Sequence, residues 1–310
     1  MACPGNFRAG LFHWKGKNMI KGLAITPPVI GRISIGRMVE KNGKRLPEKD
    51  DQFTITTQVQ GKDGWVLHPY DEGIRKALGS KLRSIPVRVI FDDPDLNLRA
   101  EFSLFDRQTG RPLCVGNGET CKRVTPEGLQ SLPCPSPGEC SWGGKAGCKP
   151  YGRLNVLIGD EDELGTFIFR TTGFNSIRTL AARLHYYQAV SGGLLSCMPL
   201  QLKLRGKSTT QSHRAPIYYA DLVIRDGKSL QEAIAEAREI HGQRQAIGFD
   251  QAALDESARQ GFANGAFEES EEEVPEIVEE FYPEMGGEEG TGPGSLKDKL
   301  QEKAGKGEVS

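Results

Sequence analysis

Five of the seven cysteines fall within one short stretch, at Cys114, Cys121, Cys134, Cys140 and Cys148. Their spacing is C-x6-C-x12-C-x5-C-x7-C. The intervening chain is rich in Gly, Pro and Ser (Pro133, Pro135, Pro137, Gly138, Gly143, Gly144, Gly147) and offers almost nothing apolar to bury. Such a loop needs a cross-link or a metal to hold a shape. Zinc takes four thiolates in a tetrahedron, and Gly/Pro turns let distant cysteines converge on one point. The expected ligand set is Cys121, Cys134, Cys140 and Cys148, with Cys114 left out because it sits on a predicted strand. Four thiolates fill the shell and leave no position for water, so the expected zinc is structural and hydrolysis at this site is disfavoured. A closed site supplies on the order of 10 kcal/mol, enough to order a coreless loop. No pair has the stronger C-x-x-C spacing, and the competing reading is a loop of free thiols. Exposed free thiols are reactive and usually avoided, which favours the metal.

A second constellation lies in Leu202–Arg214 (LKLRGKSTTQSHR). Lys203, Arg205, Lys207 and Arg214 supply charge, and Ser208 to Gln211 supply neutral donors. That mixture suits phosphate oxygens, because charge gives affinity while hydroxyl and amide groups fix position. A solvated hairpin loop is the simpler explanation. Arg32, Arg37, Lys41, Lys44 and Arg45 form a similar earlier stretch. Catalytic sets are lacking: the five histidines are dispersed, and no H-E-x-x-H, G-x-S-x-G or phosphate-loop pattern occurs. Asp92, Asp93 and Asp95, like Asp160–Glu163, read as polar turns before they read as cation sites.

Residues 268–310 carry 14 acidic and 4 basic side chains; subtracting these from 41 and 40 leaves 27 acidic and 36 basic, a body of net +9. A basic body with an acidic tail suits work near nucleic acid, or simply a solvated tail. No apolar run is long enough to span a membrane. The N-terminus lacks the apolar stretch of a secretory signal, so the expected compartment is the reducing cytosol, where thiols stay reduced or bind metal.

The elements that would position these residues read as α+β. Alternation over Ile30–Arg37 and Asp51–Val59 predicts half-buried strands. Further strands are expected at Leu82–Phe91, with Pro86 marking an edge or bulge, and at Leu96–Phe105, Pro112–Val115, Arg153–Ile158, Thr166–Arg170, Met198–Arg205 and Ile217–Arg225. Together these predict a largely antiparallel sheet interrupted by the cysteine-rich, zinc-binding insertion at 117–151. Two or three helices complete it. The clearest is Asn175–Val190, whose Ile177, Leu180, Ala181, Leu184 and Tyr187 share a face, with Asn175 or Ser176 as cap and Gly192-Gly193 as stop. Ser229–His241 opens on the capping-box pair Ser229/Glu232, and Asp250–Gln260 follows. Tyr70–Leu78 is a shorter helical segment closed by Gly79. Residues 1–18 read as an unstructured extension, with Met19 an alternative start. Residues 19–267 read as the domain, and 268–310 as a disordered acidic tail in which Glu279–Glu284 reads as an incidental aromatic pair, Phe281-Tyr282, before it reads as a short docking peptide.

Three stretches, in order, resemble the recombination directionality factor-like family of phages and prophages: Ile30–Arg37 (IGRISIGR), the cysteine loop, and Leu164–Ile177 (LGTFIFRTTGFNSI). The resemblance covers Lys21 to Val190, and more loosely reaches Arg225. It implies a non-enzymatic accessory factor that contacts a serine integrase and biases it toward excision, with the cysteines as the only site residues that map. The alternatives are a nucleic-acid-binding protein of phage replication or single-strand handling, and a metal-dependent hydrolase. The expected partners are an integrase or other recombination protein, or DNA, and no membrane; the oligomeric state is left open.

Overall fold

The computed structural model describes residues 28–41, 44–61, 64–160, 165–208, 216–262 and 281–282, with side chains for all of these except 37–50 and 145. The expected extension 1–18 lies outside the described residues, as does the tail 268–310 apart from Phe281 and Tyr282. The strands are β1 Val29–Lys41, β2 Lys44–Gly61, β3 Gly64–Leu67, β4 Ser84–Arg88, β5 Leu98–Phe105, β6 Pro112–Gly116, β7 Thr120–Thr125, β8 Gly128–Pro133, β9 Lys149–Ile158, β10 Thr166–Thr171, β11 Leu200–Ser208 and β12 Pro216–Ile224. The helices are α1 Pro69–Leu78, α2 Pro94–Asn97, α3 Ser136–Glu139, α4 Gly143–Ala146, α5 Phe174–Ser191, α6 Leu230–Ala246 and α7 Gln251–Phe262. A short 3-10 turn at Leu195–Cys197 precedes β11. Among the described residues, no helix is long and apolar enough to cross a membrane.

Strand β9 is the hub. Its residues 152–156 pair with β10 and 149–154 with β5, while Leu157 and Ile158 reach past β5 to pair with Arg88 and Val87 of β4. One path of the sheet runs β3-β2-β1-β10-β9-β5-β6-β7-β8, and β4 carries it on through β11 to β12. Only β1 and β10 run parallel among the described strands; the other pairings are antiparallel, as the sequence predicts. The sheet curls so that β2 meets the chain entering β4, where the Phe53 N–H donates to the Leu82 carbonyl at 2.7 Å. The core lies inside this curl. Ile33, Phe53, Ile55, Val87, Leu154, Val156, Phe167, Phe169, Leu200 and Leu222 from the strands meet Leu180, Leu184 and Tyr187 of α5 and Ala233 and Ala237 of α6.

Among the described residues, four helices have ten or more residues: α5, α6 and α7 are the three expected main helices, and α1 is the shorter one expected at Tyr70–Leu78, closed at Gly79. The capping box of α6 is present: the Ser229 hydroxyl accepts from the Glu232 N–H, and the Glu232 carboxylate accepts from the Ser229 N–H at 2.7 Å. Helix α5 stops at Gly192, whose φ of 70° is left-handed. Its start differs from expectation. Gly173 is the cap and no side chain helps, because both expected caps are engaged elsewhere: the Ser176 hydroxyl accepts from the Ala220 N–H, and the Asn175 carbonyl oxygen from Lys207.

Two other expectations are corrected. Pro86 lies in an interior strand, not at an edge. Its carbonyl accepts from the Gly159 N–H at 3.0 Å, beyond the last β9 residue, and its missing N–H faces that same side where ladder pairing has ended. The strand expected at Leu96–Phe105 begins only at Leu98, because Pro94–Asn97 form a helical turn. Asn97 explains the turn. Fully buried, it accepts from the Ile90 and Phe91 N–H groups at 3.0 Å and donates to the Phe91 and Asp93 carbonyls at 2.7 and 3.0 Å. One amide thus saturates the bend between β4 and β5.

Asn97→Ala leaves those backbone groups without that partner. It is expected to destabilise the chain by about 2–4 kcal/mol, against about 1 kcal/mol for loss of the α6 cap in Ser229→Ala. Urea unfolding of the two variants checks the order; equal losses would contradict it.

Candidate metal centre

The cysteine region is not the coreless loop that its composition implies. Its first half is a β-hairpin, β7–β8, that extends the sheet beyond β6. Its second half is the pair of single-turn helices α3 and α4, running directly into β9. A small apolar floor lies beneath: Leu104 is buried with Cys114 and Cys121, and Leu113, Leu132 and Ala146 pack at its margin.

The ladder dictates which sulfurs meet. Cys114 stands opposite Arg123, and Gly116 opposite Cys121. Side chains alternate along a strand, so Cys114 and Gly116 share a face with Cys121 and Arg123. Gly116 leaves a hollow on that face. A Cβ there would lie 2.7 Å from the Cys121 Cβ and 2.9 Å from the Cys134 Sγ. Cys134 follows β8 and is held by its N–H to the Glu119 carbonyl at 2.8 Å. Cys140 closes α3, and Cys148 follows α4 with its N–H on the Gly143 carbonyl at 2.8 Å. Gly143 allows these two to approach, since a Cβ on it would lie 3.3 Å from the Cys140 Sγ and 3.2 Å from the Cys148 Cβ. The expected ligands therefore approach in two pairs, Cys121 with Cys134 and Cys140 with Cys148, in one region of the fold. Cys114, expected to stand apart, lies beside Cys121.

The sulfurs press on one another electrostatically. Burial pushes the Cys121 thiol up to about 11, helped by the Cys114 sulfur beside it. Burial also pushes Cys148 up to about 12, with Cys114, Cys134, Cys140 and Cys121 all adding to the rise. Cys140 moves the other way. The Gly143 N–H donates to its Sγ at 3.1 Å, and this bond favours its thiolate. Arg123 lies 3.8 Å from the same sulfur and stacks 4.5 Å from the Trp142 ring centroid. Neither Arg123 nor Trp142 stood out in the sequence. The signal for Arg123 was its place two residues after Cys121, hence on the same strand face.

Among the described residues, no group of three His, Cys, Asp or Glu side chains has the geometry to hold a metal ion. The donor chemistry nevertheless fits a thiophilic cation. Several thiols too crowded to ionise together, a backbone N–H on one sulfur and an arginine alongside are what a negatively charged metal–thiolate unit requires of its surroundings.

The other candidates are engaged within the fold. Lys203 pairs with Asp226 at 3.1 Å, Arg205 with Asp221 at 3.2 Å, and Lys207 donates to Asn175 at 2.8 Å. Arg214 lies outside the described residues, as do the side chains of Arg37, Lys41, Lys44 and Arg45. Asp92 accepts from the Ser196 N–H, and Asp93 caps α2 and pairs with Arg259, so this acidic run is a structural turn. Asp160 bridges Arg88 at 3.0 Å and Arg225 at 2.5 Å, and Arg88 also meets Glu236 of α6 at 2.8 Å. That network fastens the far end of β9 to α6. Glu161, Asp162 and Glu163, the remainder of that expected turn, lie outside the described residues.

In chelator-treated, reduced protein near neutral pH, iodoacetamide is expected to modify Cys140 before Cys121 or Cys148, because alkylation follows the thiolate. Peptide mass mapping over time reads the order, and equal rates at the three sites would contradict it.

No curated protein and no solved structure matches the chain. A sequence profile described as Gp3-like, recombination directionality factor-like, matches residues 30–225. That span runs from β1 through the cysteine cluster and α5 to the end of β12. The match covers well over half of the sequence, and the chain belongs to the Gp3-like, recombination directionality factor-like family.

Proposed function

We propose that the protein is a zinc-stapled, non-enzymatic accessory factor of phage or mobile-element DNA recombination, which binds an integrase and biases it toward excision. The observation that carries this reading is the family match across the whole sheet, cysteine cluster included. The physical mode of action is a population shift. An accessory protein with no chemistry of its own redirects a recombinase only by binding one synaptic arrangement more tightly than another. Zinc, when bound, supplies charge neutralisation for the crowded thiolates. Cys121, Cys134, Cys140 and Cys148 would hold it, with Cys114 and Arg123 as neighbours that shape the surrounding field. The proposed role of the metal is rigidity: it fixes α3 and α4 against the β7–β8 hairpin and so presents one surface to a partner.

The nucleic-acid reading draws less support, because Lys203, Arg205 and Lys207 already have partners inside the chain. Direct DNA contact would have to compete with those bonds.

Purified protein added to the serine integrase of the same element is expected to switch on attL × attR recombination and suppress attP × attB. No change at saturating protein would remove the proposal. For the centre itself, Cys→Ser at position 121, 134, 140 or 148 is expected to lower bound zinc at least about tenfold, the scale for losing one ligand or its support. Cys114→Ser is expected to retain it. Metal analysis after dialysis reads the result, and equal retention in all five variants would refute the ligand set.

A further inference from the structure

Phe281 and Tyr282 belong to the Glu-rich tail, yet both are buried in the body of the fold, Phe281 completely. They complete an aromatic cluster with Phe105 at the end of β5 and Tyr151 of β9. Phe281 meets Phe105 edge-on at 5.0 Å between ring centroids, and Tyr151 at 6.1 Å. The Tyr282 hydroxyl donates to the Phe105 carbonyl at 2.8 Å, and Lys149 Nζ donates to the Phe281 carbonyl at 2.9 Å. Arg107 lies 4.8 Å from the Tyr282 ring centroid. The pocket therefore has an aromatic floor and a rim bearing Arg107 and Lys149.

We propose that this pocket is a peptide-docking site for a Phe–Tyr pair flanked by carboxylates, closed in cis by the chain's own tail. Three observations carry the proposal. The pair joins no strand; it is anchored by two rings, two hydrogen bonds and a cationic rim, the pattern of short-peptide recognition through aromatic hot spots. Its neighbours in sequence are Glu279, Glu280 and Glu284, which match Arg107 and Lys149 in charge. The pocket residues lie inside the family-matched span 30–225, whereas the pair lies beyond its end. The positions that form the site thus fall within the matched span, and its occupant falls in the acidic tail outside it. It also adjoins the cysteine cluster: Lys149 and Tyr151 closely follow Cys148, and a Cβ on Gly147 would lie 4.0 Å from the Tyr282 ring. A tethered segment competes with a free one at an effective concentration on the order of millimolar, so the cis occupant excludes weaker peptides in trans. The proposal does not depend on the recombination role or on zinc.

The test uses the full chain and a fluorescent peptide of the sequence Glu279–Glu284. The double variant Phe281→Ala/Tyr282→Ala is expected to bind the peptide, and the unaltered chain to bind it at least about tenfold more weakly. A control peptide with both aromatic residues replaced by alanine is expected not to bind. Equal binding by the two proteins, no binding by the variant, or equal binding of the control peptide would overturn the proposal. So would loss of cooperative melting in the variant, since the pair would then be part of the core. Independently, a benzophenone amino acid at position 282 is expected to cross-link to the 105–107 or 147–151 segment at monomer mass. Cross-links only at dimer mass, or none, would exclude the cis occupant.

Discussion

The meeting of several cysteines at one end of the sheet is the constraint on which the proposed function depends. The hairpin β7–β8 extends the sheet beyond β6 and sets Cys114 and Cys121 side by side, while Gly116 opens the hollow into which Cys134 fits. Two single-turn helices then return Cys140 and Cys148 to the same place, and Gly143 lets them approach. Without a cation, Cys121 and Cys148 stay as neutral thiols. Burial raises Cys121 and Cys148, and the neighbouring sulfurs add to the rise, so the thiolates cannot form together. Arg123 and the Gly143 N–H favour the thiolate at Cys140. A divalent cation would turn mutual repulsion among thiolates into shared attraction.

The rest of the fold carries this end without contributing chemistry to it. Strand β9 begins directly after Cys148 and runs from the cysteine cluster to the pairing with β4. It pairs with β5 and β10 and reaches β4, near the ion network of Arg88, Asp160 and Glu236. One strand therefore ties the cysteine cluster and the aromatic pocket to the main core under α5 and α6. A surface built at the start of β9 is held by the same ladder that organises the core.

Much of this was legible in the sequence, for local reasons. Period-two alternation located β1 and β2, helical spacing gave the buried face of α5, and Ser229 with Glu232 gave the start of α6. The failures came from tertiary contacts. Ser176 and Asn175 look like helix caps until β11 and β12 claim them. Leu96 and Asn97 look like strand until the buried amide of Asn97 bends the chain. The cysteine stretch looks like loop because its hairpin has few apolar residues; register with β6, which composition does not encode, makes it sheet. The strand assignment that set Cys114 apart was correct, but it was the neighbouring strand that brought the other thiols to it. Phe281-Tyr282 reads as incidental in a Glu-rich tail because its complement, Phe105 and Tyr151, is far away in sequence.

The central claim is that the gathered thiolates grip a metal ion. X-ray absorption at the zinc edge, on reduced protein purified without added metal, tests it most directly. The account predicts one zinc per chain with four sulfur neighbours at about 2.3 Å and no light-atom ligand. Metal-free protein whose structure is unaffected by chelators, or a zinc shell containing oxygen or nitrogen, would contradict it.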